Sequence, residues 1–312
     1  MKTLEVKLGR ARFRNPVFGA SGCTGHGYEL APYTDLSRYG AVTLKTFTPA
    51  PRAGNRPQRV CEVPSGVLNS IGLQNPGMEA FFADIMPKVL DALDRDQIIV
   101  SVGGDTVEDY VNLCQKVQER FGRRIAALEL NAACPNVTHG AGFYSRDPEA
   151  ASTLVSAVRS ATELPVFVKF NTNFQNYLEV AQAIEAAGAD ALYTTNTPLG
   201  MKIDWRTRRP ALGNGQGPIC GPAIRPIGVL RTWELYKRIH LPIIASGGIC
   251  TWEDALEYIL AGASAVGVGS AQFVYPDAAG TILSGLEQYV LEQRLTSLLD
   301  LVGTVRKINW KM

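Results

Sequence analysis

Eight short runs rich in apolar and β-branched residues recur along this chain, and helical patterns or long loops separate each from the next. They occupy residues 16–20, 41–46, 98–103, 126–133, 166–171, 191–197, 243–247 and 265–269. Most are apolar almost throughout rather than alternating, as strands covered on both faces must be. Amphipathic segments at 77–93, 107–121, 148–162, 177–187, 224–239 and 252–261 lie between them. Asp105-Thr106-Val107-Glu108 and Thr251-Trp252-Glu253-Asp254 read as helix starts, with a capping hydroxyl ahead of acids. Gly188 and Gly262 stand where helix C-caps are expected, each just before a new strand. Eight β/α units in one chain predict an α/β fold, a closed (β/α)8 TIM barrel rather than a doubly wound sheet. At 312 residues with 46% hydrophobic content, a single domain over residues 1–312 is expected.

Two connections, 47–76 and 198–223, are too long to be plain βα loops, and both carry several Pro and Gly. They follow strands at the C-terminal, catalytic face, so they are expected to wall a binding site there. Among general classes, the charge balance disfavours nucleic acid and anionic membranes: 31 basic and 29 acidic side chains are well mixed. The N-terminal MKTLEVKLG has no apolar h-region and no apolar run approaches a membrane span, so a cytoplasmic protein is expected. The six cysteines (23, 61, 114, 134, 220 and 250) form no CxxC pair, which argues for reduced thiols and against a metal or iron–sulfur site on this polypeptide.

The chemistry-bearing residues gather at strand ends. Asn131-Ala-Ala-Cys134-Pro135-Asn136 closes the fourth run, bringing two amides and a thiol to one place. Amides donate and accept together, so a pair can read a ring bearing N–H and C=O groups; a thiol beside them can act as base or nucleophile. A buried structural cysteine before a proline turn is the plainer alternative. The last two runs end in Ser246-Gly247-Gly248-Ile249 and Gly267-Val268-Gly269-Ser270, where glycines let backbone N–H groups approach a phosphate, with a short helix starting near Ala271. The GxGxxG dinucleotide fingerprint is absent after the first strand, which disfavours intrinsic NAD binding. Lys45 and Lys169 sit among apolar residues; inward-facing, each needs a partner, and a flavin would give both a task. Asn69, Asn131, Asn136 and Asn196 add four amides on separate segments, a polar cage for a heterocycle. Residues 137–147 could form a lid, with His139 as an exposed loop residue; Lys202, Arg206, Arg208 and Arg209 form a basic patch in the second long loop.

Taken in order, these motifs resemble those of the dihydroorotate dehydrogenases, most closely the class 1B catalytic subunits of bacterial pyrimidine biosynthesis. The resemblance runs over essentially the whole chain. It rests on Ala20-Ser21-Gly22, Lys45-Thr46, Arg52-x-Gly54-Asn55, Asn69-Ser-Ile-Gly72-Leu73-x-Asn75-Pro76-Gly77 and Asn131-x-x-Cys134-Pro135-Asn136. Val168-Lys169, Asn196-Thr197, Gly221-Pro222-Ala223-Ile224, Gly247-Gly248 and Gly269-Ser270 continue it.

The resemblance implies an FMN-dependent oxidation of dihydroorotate to orotate at the top of the barrel. Ala20, Ser21, Lys45, Thr46, Ser101, Asn131, Lys169, Thr195, Gly221, Gly247, Gly248, Gly269 and Ser270 would hold FMN. Lys45, Asn69, Ser70, Ile71, Gly72, Leu73, Asn131, Asn136, Asn196 and Thr197 would hold the dihydropyrimidine, and Cys134 would be the base. Class 2 enzymes have Ser at that position and an N-terminal membrane extension, neither of which is seen here. The class 1B kinship further implies a homodimer, and an electron-transfer subunit bearing FAD and a 2Fe–2S cluster that passes electrons to NAD+.

Several positions depart from the family pattern. Ser101 stands where Asn is usual, which would alter one flavin hydrogen bond, and Gly217-Pro218-Ile219-Cys220-Gly221 replaces Gly-Gly-Leu-Ser-Gly in what would be a stiffened loop beside the flavin. Gly269-Ser270 replaces Gly-Thr, Ala-Ala precedes Cys134, and Phe143-Tyr144-Ser145 is unusual in the lid. Three alternatives therefore stand beside the first reading: a flavoenzyme for another dihydropyrimidine such as dihydrouracil, a fumarate-linked class 1A homodimer, and a non-enzymatic phosphate-binding barrel serving as scaffold or sensor.

Overall fold

The computed structural model describes residues 4–133, 141–194 and 197–306. Its centre is a closed eight-stranded parallel barrel, and all eight expected strands are present. In chain order they are β3 (Val17–Gly19), β4 (Ala41–Thr43), β7 (Ile98–Val102), β8 (Ala127–Asn131), β9 (Val166–Lys169), β10 (Ala191–Thr194), β15 (Ile243–Ser246) and β16 (Ala265–Val268), closing with β16 on β3. Apart from β10, which is followed by residues outside the described set, each strand ends one to three residues before its expected C-terminal limit, because the chain leaves the barrel there to build the upper face. Helices at Val107–Phe121 and Trp252–Ala261 match expectation, and Thr106 and Thr251 each close a capping box with the Asp three residues on.

The helical layer departs from expectation at its C-terminal end. Between β3 and β4 there is no long helix but two 3-10 turns, Tyr28–Leu30 and Leu36–Arg38. A helix at Ala278–Glu292, not anticipated from a stretch diluted by Gly280 and Gly285, packs against β3 and completes the outer ring. The segment after β4 is helical from Gly77 to Ala92 with a π-helical turn at Phe81–Ile85.

An unanticipated hairpin seals the N-terminal end. Its strands β1 (Val6–Leu8) and β2 (Ala11–Phe13) present Val6, Leu8, Ala11 and Phe13 inward and Lys7 and Arg12 outward. The inward set joins Phe18, Ile99, Ala127, Phe167 and Tyr193 in a core separate from the one under the helices. The ring of Phe13 lies 4.8 Å from that of Phe18 and 6.1 Å from that of Phe167. Each such buried ring contributes about 1.5–3 kcal/mol from area alone.

At the opposite end the two long connections merge into one antiparallel sheet. It is built from β5 (Val60–Val63), β6 (Gly66–Asn69), β11 (Leu199–Gly200) and β14 (Gly217–Cys220), ordered β11-β14-β6-β5. Leu68 pairs with Ile219 and Val67 with Cys220, so segments about 150 residues apart in sequence share one wall. The expected stiff loop 217–221 is thus largely a strand, and Pro218 faces the two-residue strand β11, where a missing N–H is tolerated. A small hairpin of β12 (Ile203–Asp204) and β13 (Arg209–Pro210) extends outward, carrying the exposed Trp205. Among the described residues no helix is long and apolar enough to cross a membrane.

Candidate active site

A cavity of about 300 Å3 opens at the C-terminal mouth of the barrel, under the β5–β6–β14 wall. Its floor and sides come from strand ends: Ala20 and Ser21 after β3, Lys45 after β4, Asn131 on β8, Lys169 on β9, and Ser246 to Ile249 after β15. Gly267, Gly269 and Ser270 close the circle from β16. The wall adds Val60, Val67, Asn69, Pro218 and Cys220, and the loop beyond β6 adds Ile71, Gly72 and Leu73. One rim is therefore apolar and the floor polar, which suits a planar heterocycle with hydrogen-bonding edges.

Backbone shape explains several of these positions. Gly247 and Gly248 have φ of +123° and +72°, a region that side chains avoid. A Cβ on Gly248 would stand 2.7 Å from the Gly221 carbonyl oxygen and 3.1 Å from the Arg225 nitrogen. The loop is held from below by Asp254, which accepts from the Cys250 and Thr251 N–H groups and pairs with Arg225. After Gly269 a 3-10 turn at Ser270–Phe273 begins with no side-chain cap on its first N–H groups. Two glycine-lined strand ends side by side, one running into an uncapped turn, fit a phosphate.

Two cations face this cavity. Lys169 lies with its Nζ 5.7 Å from the centre of the buried Tyr193 ring. Lys45 has its backbone N–H on the Gly25 carbonyl, and its side chain stands between the main cavity and a second one of about 310 Å3 lined by His26, Arg52 and Asn75. Burial disfavours the thiolate at the two described cysteines of the cavity, Cys23 and Cys220. Burial pushes Cys23 up to about 12, Cys220 adds to the rise, and Lys169 and Lys45 oppose it. Cys220 is also raised by burial.

Beneath the floor runs a buried polar chain. Asn131 Nδ2 donates to Thr46 Oγ1 at 2.9 Å, Thr46 and Ser101 hydroxyls are 2.8 Å apart, and Ser101 Oγ donates to Glu129 Oε1 at 2.7 Å. Ser101 and Glu129 are completely buried. Burial holds the Glu129 carboxyl above the usual carboxylate range, against the smaller pull of Lys169, the Ser101 hydrogen bond and Lys45. The backbone of the Asn131 strand end is fixed in turn: Tyr110 donates to the Asn131 carbonyl, and Ser145 donates to that of Ala132 while accepting from the Asn171 N–H. Tyr144 and Ser145, at the far end of the expected lid, are thus packed into the barrel rather than lying over it.

Of the residues anticipated from sequence, Ala20, Ser21, Lys45, Asn69, Ile71, Gly72, Leu73, Asn131, Lys169, Thr197, Gly247, Gly248, Gly269 and Ser270 line the cavity together. Thr46 and Ser101 lie a layer below in the chain just described, Ser70 is buried against Asn55, and Gly221 abuts the Gly248 turn. Cys134, Asn136, His139, Thr195 and Asn196 fall outside the described residues. Sequence reasoning missed Val60, Val67, Cys23, Ile224 and Phe273 in the lining, and Glu129 below it. A signal for the first two exists, since two β-rich runs flank the turn Pro64-Ser65-Gly66.

Comparison with known proteins agrees with this geometry. The sequence model of the family described as dihydroorotate dehydrogenase matches residues 3–290. A protein of Desulforamulus reducens named "Dihydroorotate dehydrogenase B (NAD(+)), catalytic subunit" is 45% identical over 96% of this chain and 97% of its own length. Proteins of the same name from Desulforudis audaxviator and Listeria innocua are 45% and 42% identical, covering 97% and 96% of this chain and 97% and 98% of their own.

Proposed function

The chain belongs to the dihydroorotate dehydrogenase family, and from that premise we propose how its cavity carries out the oxidation of dihydroorotate to orotate in pyrimidine biosynthesis. It is an FMN-dependent oxidoreductase on a TIM barrel. The observation that carries the assignment of parts is a single cavity in which Lys45, Asn69, Asn131 and Lys169 face the glycines of residues 247–248 and 269.

The cradle after β15 and β16 would hold the FMN phosphate, with Ser270 adding a hydroxyl, and Lys169 would lie against the ring system. Bound there, FMN supplies the acceptor for the hydride that leaves C6 of the substrate. Lys45 supplies a cation for the substrate carboxylate, and Asn69 and Asn131 offer paired donor and acceptor groups to the ring amides. Asn136, Asn196 and Thr197 complete that set on the family pattern, and Cys134 Sγ takes the proton from C5. The apolar wall of Val60, Val67 and Pro218 excludes water, which strengthens each of these polar contacts.

Relatives named as catalytic subunits support a partner subunit here too, carrying FAD and a 2Fe–2S cluster and delivering electrons to NAD+. A homodimer of this chain, a single 1–312 domain and a cytoplasmic location belong to the same reading, and sedimentation of the purified chain tests the first. The decisive experiment mixes purified holoprotein anaerobically with L-dihydroorotate and follows the flavin absorbance. Rapid bleaching is expected. A yellow protein that does not bleach would redirect the substrate to another dihydropyrimidine, and a chain that takes up no FMN would end the redox reading.

A further inference from the structure

Lys169 ends β9 at the cavity floor, half-buried, and its side chain makes no hydrogen bond or ion pair among the described residues. What its ammonium meets is an aromatic face: Nζ lies over the Tyr193 ring, 5.7 Å from the centroid. Tyr193 stands directly opposite Lys169 where β10 pairs with β9. It is 1% exposed, and its hydroxyl has no partner among the described residues. Burial raises that hydroxyl well above its ordinary value, so the phenol stays neutral and offers the cation its ring. The ring reaches past β15 to β16, where Gly267 leaves room for it. A Cβ on Gly267 would fall on the Tyr193 hydroxyl and stand 3.0 Å from Cζ, so a side chain there would push the ring away.

An aromatic face and a carboxylate hold a cation with different consequences. A carboxylate neutralises it, whereas the ring quadrupole attracts it and leaves its formal charge whole. The carboxyl that feels Lys169 most directly is that of Glu129 on β8, and burial favours its neutral form, so no full counter-charge forms beneath the ammonium. A lysine ammonium is a point charge on a flexible four-carbon stem and has no preferred place of its own. Here the place is supplied by a ring that is itself fixed, because Gly267 admits it and the surrounding core encloses it.

We infer that Tyr193 is a positioning residue, whose ring holds the Lys169 ammonium at the cavity floor with its charge uncancelled, so that the flavin meets a full positive charge. The inference rests on the functional reading above, in which FMN lies against Lys169. A fixed cation there favours the reduced, anionic ring system over the neutral oxidised one. Tyr193 therefore acts on the redox balance of the flavin through Lys169, without touching it.

The test measures the reduction midpoint of bound FMN, which reports the ratio of its affinities in the reduced and oxidised states. Wild-type holoprotein is compared with Tyr193→Phe, Tyr193→Met, Lys169→Met and the double variant of the last two. Tyr193→Phe keeps the ring and should keep the ratio. Tyr193→Met fills the space with a flexible apolar chain. It should weaken the reduced flavin relative to the oxidised one roughly threefold to tenfold, the worth of one desolvated contact between cation and ring. Once Lys169 is gone the ring has nothing to hold, so the double variant should match Lys169→Met alone. A shift in Tyr193→Phe as large as that in Tyr193→Met would give the role to the hydroxyl, and additive shifts would reduce it to packing; either would overturn the inference. Should Tyr193→Met fail to fold, a pentafluorinated phenylalanine at position 193 decides, since it keeps the ring shape and reverses the quadrupole. It should shift the ratio in the same direction, and a wild-type ratio would overturn the inference. A wild-type chain that takes up no FMN would instead refute the functional reading itself.

Discussion

The two ends of this barrel are made of the same strands and obey opposite rules. At the N-terminal end the β1–β2 hairpin inserts an apolar plug, and the buried carboxylate beside it is fully engaged. Asp190 accepts from Arg10 Nε and Nη2 at 2.9 Å each, from the Arg10 N–H at 3.1 Å and from the Val166 N–H at 2.9 Å. At the C-terminal end polar atoms are buried and left waiting. Among the described residues, the buried side-chain atoms without partners are on His26, Thr43, Glu129, Thr172 and Tyr193. None lies on the two strands of the plug, although the Tyr193 ring packs in the core beneath it; they lie on barrel strands or in segments that follow them. Satisfied polar groups hold a fold together, whereas unsatisfied ones cost stability and are kept where a ligand answers them. The comparison separates what holds the barrel closed from what it is closed around.

The sharpest way to break that separation is Cys134→Ser. If the upper end carries chemistry and little stability, this change should leave FMN bound and the thermal midpoint unmoved. Flavin reduction by dihydroorotate should slow by about 10²–10⁴-fold near neutral pH, the usual worth of a positioned base. Part of the rate should return in alkali, because a hydroxyl gives up its proton far less readily than a thiol. Stopped-flow reduction across pH reads both effects, and an unchanged rate would remove Cys134 from the mechanism.

Asp190→Asn is the converse. It removes the charge that Arg10 and two backbone N–H groups converge on, and should cost about 2–4 kcal/mol of stability with kcat unaffected. Burial raises the Asp190 carboxyl, but the Arg10 and Val166 hydrogen bonds outweigh it and hold it below the usual carboxylate range. A depressed folded-state value means that the stabilisation is complete above the unfolded value, near ~3.9, and disappears as pH falls through the folded one. Denaturant titrations should therefore show wild type and variant separated at neutral pH and converging in acid. A gap that stayed constant with pH would mean that shape, not charge, holds the plug.

Gly248→Ala tests the cradle with a smaller expected effect. At φ +72°, with the new Cβ 2.7 Å from the Gly221 oxygen, alanine costs about 1–3 kcal/mol of local strain. The turn should adjust at the expense of the phosphate site, weakening FMN by roughly tenfold on the basis that ~1.4 kcal/mol is a factor of ten. Fluorescence titration of apoprotein with FMN measures it, and undiminished affinity would move the phosphate elsewhere.

How far each end can be read from sequence follows from the same physics. The barrel strands are legible because both faces of each are covered, so β7 and β10 read as continuous apolar runs. The cradle is legible because only glycine tolerates its backbone. The plug is less so, although Val6, Leu8, Ala11 and Phe13 alternate with Lys7 and Arg12 about Gly9, which turns at φ +56° against Asp190. The upper wall is legible as two long connections but not as one sheet, since β6 and β14 are half-exposed and meet only through a pairing distant in sequence. Glu129 was hidden for another reason: it sits in an apolar run where its inward direction depends on the two-residue period of one strand. A buried carboxyl there is intelligible only once Ser101, Thr46 and Asn131 are seen beside it.

The smallest effect belongs to the outer surface of the plug, and it guards against crediting the N-terminal end with every charge it carries. Arg12 Nη1 lies 3.1 Å from Glu5 Oε1, only 0.2 Å longer than the 2.9 Å of Arg10 to Asp190, but the Arg12 side chain is 70% exposed. Water screens such a pair and the long side chain loses entropy in forming it, so Arg12→Ala should change stability by less than about 0.5 kcal/mol. Asp190, at 7% side-chain exposure, has no water to replace what Arg10 gives it. Measured in the same denaturant series, the two substitutions weigh burial against charge at one end of one barrel. Equal losses would mean that net charge at this face, rather than the desolvated Arg10–Asp190 contact, keeps the hairpin in the barrel.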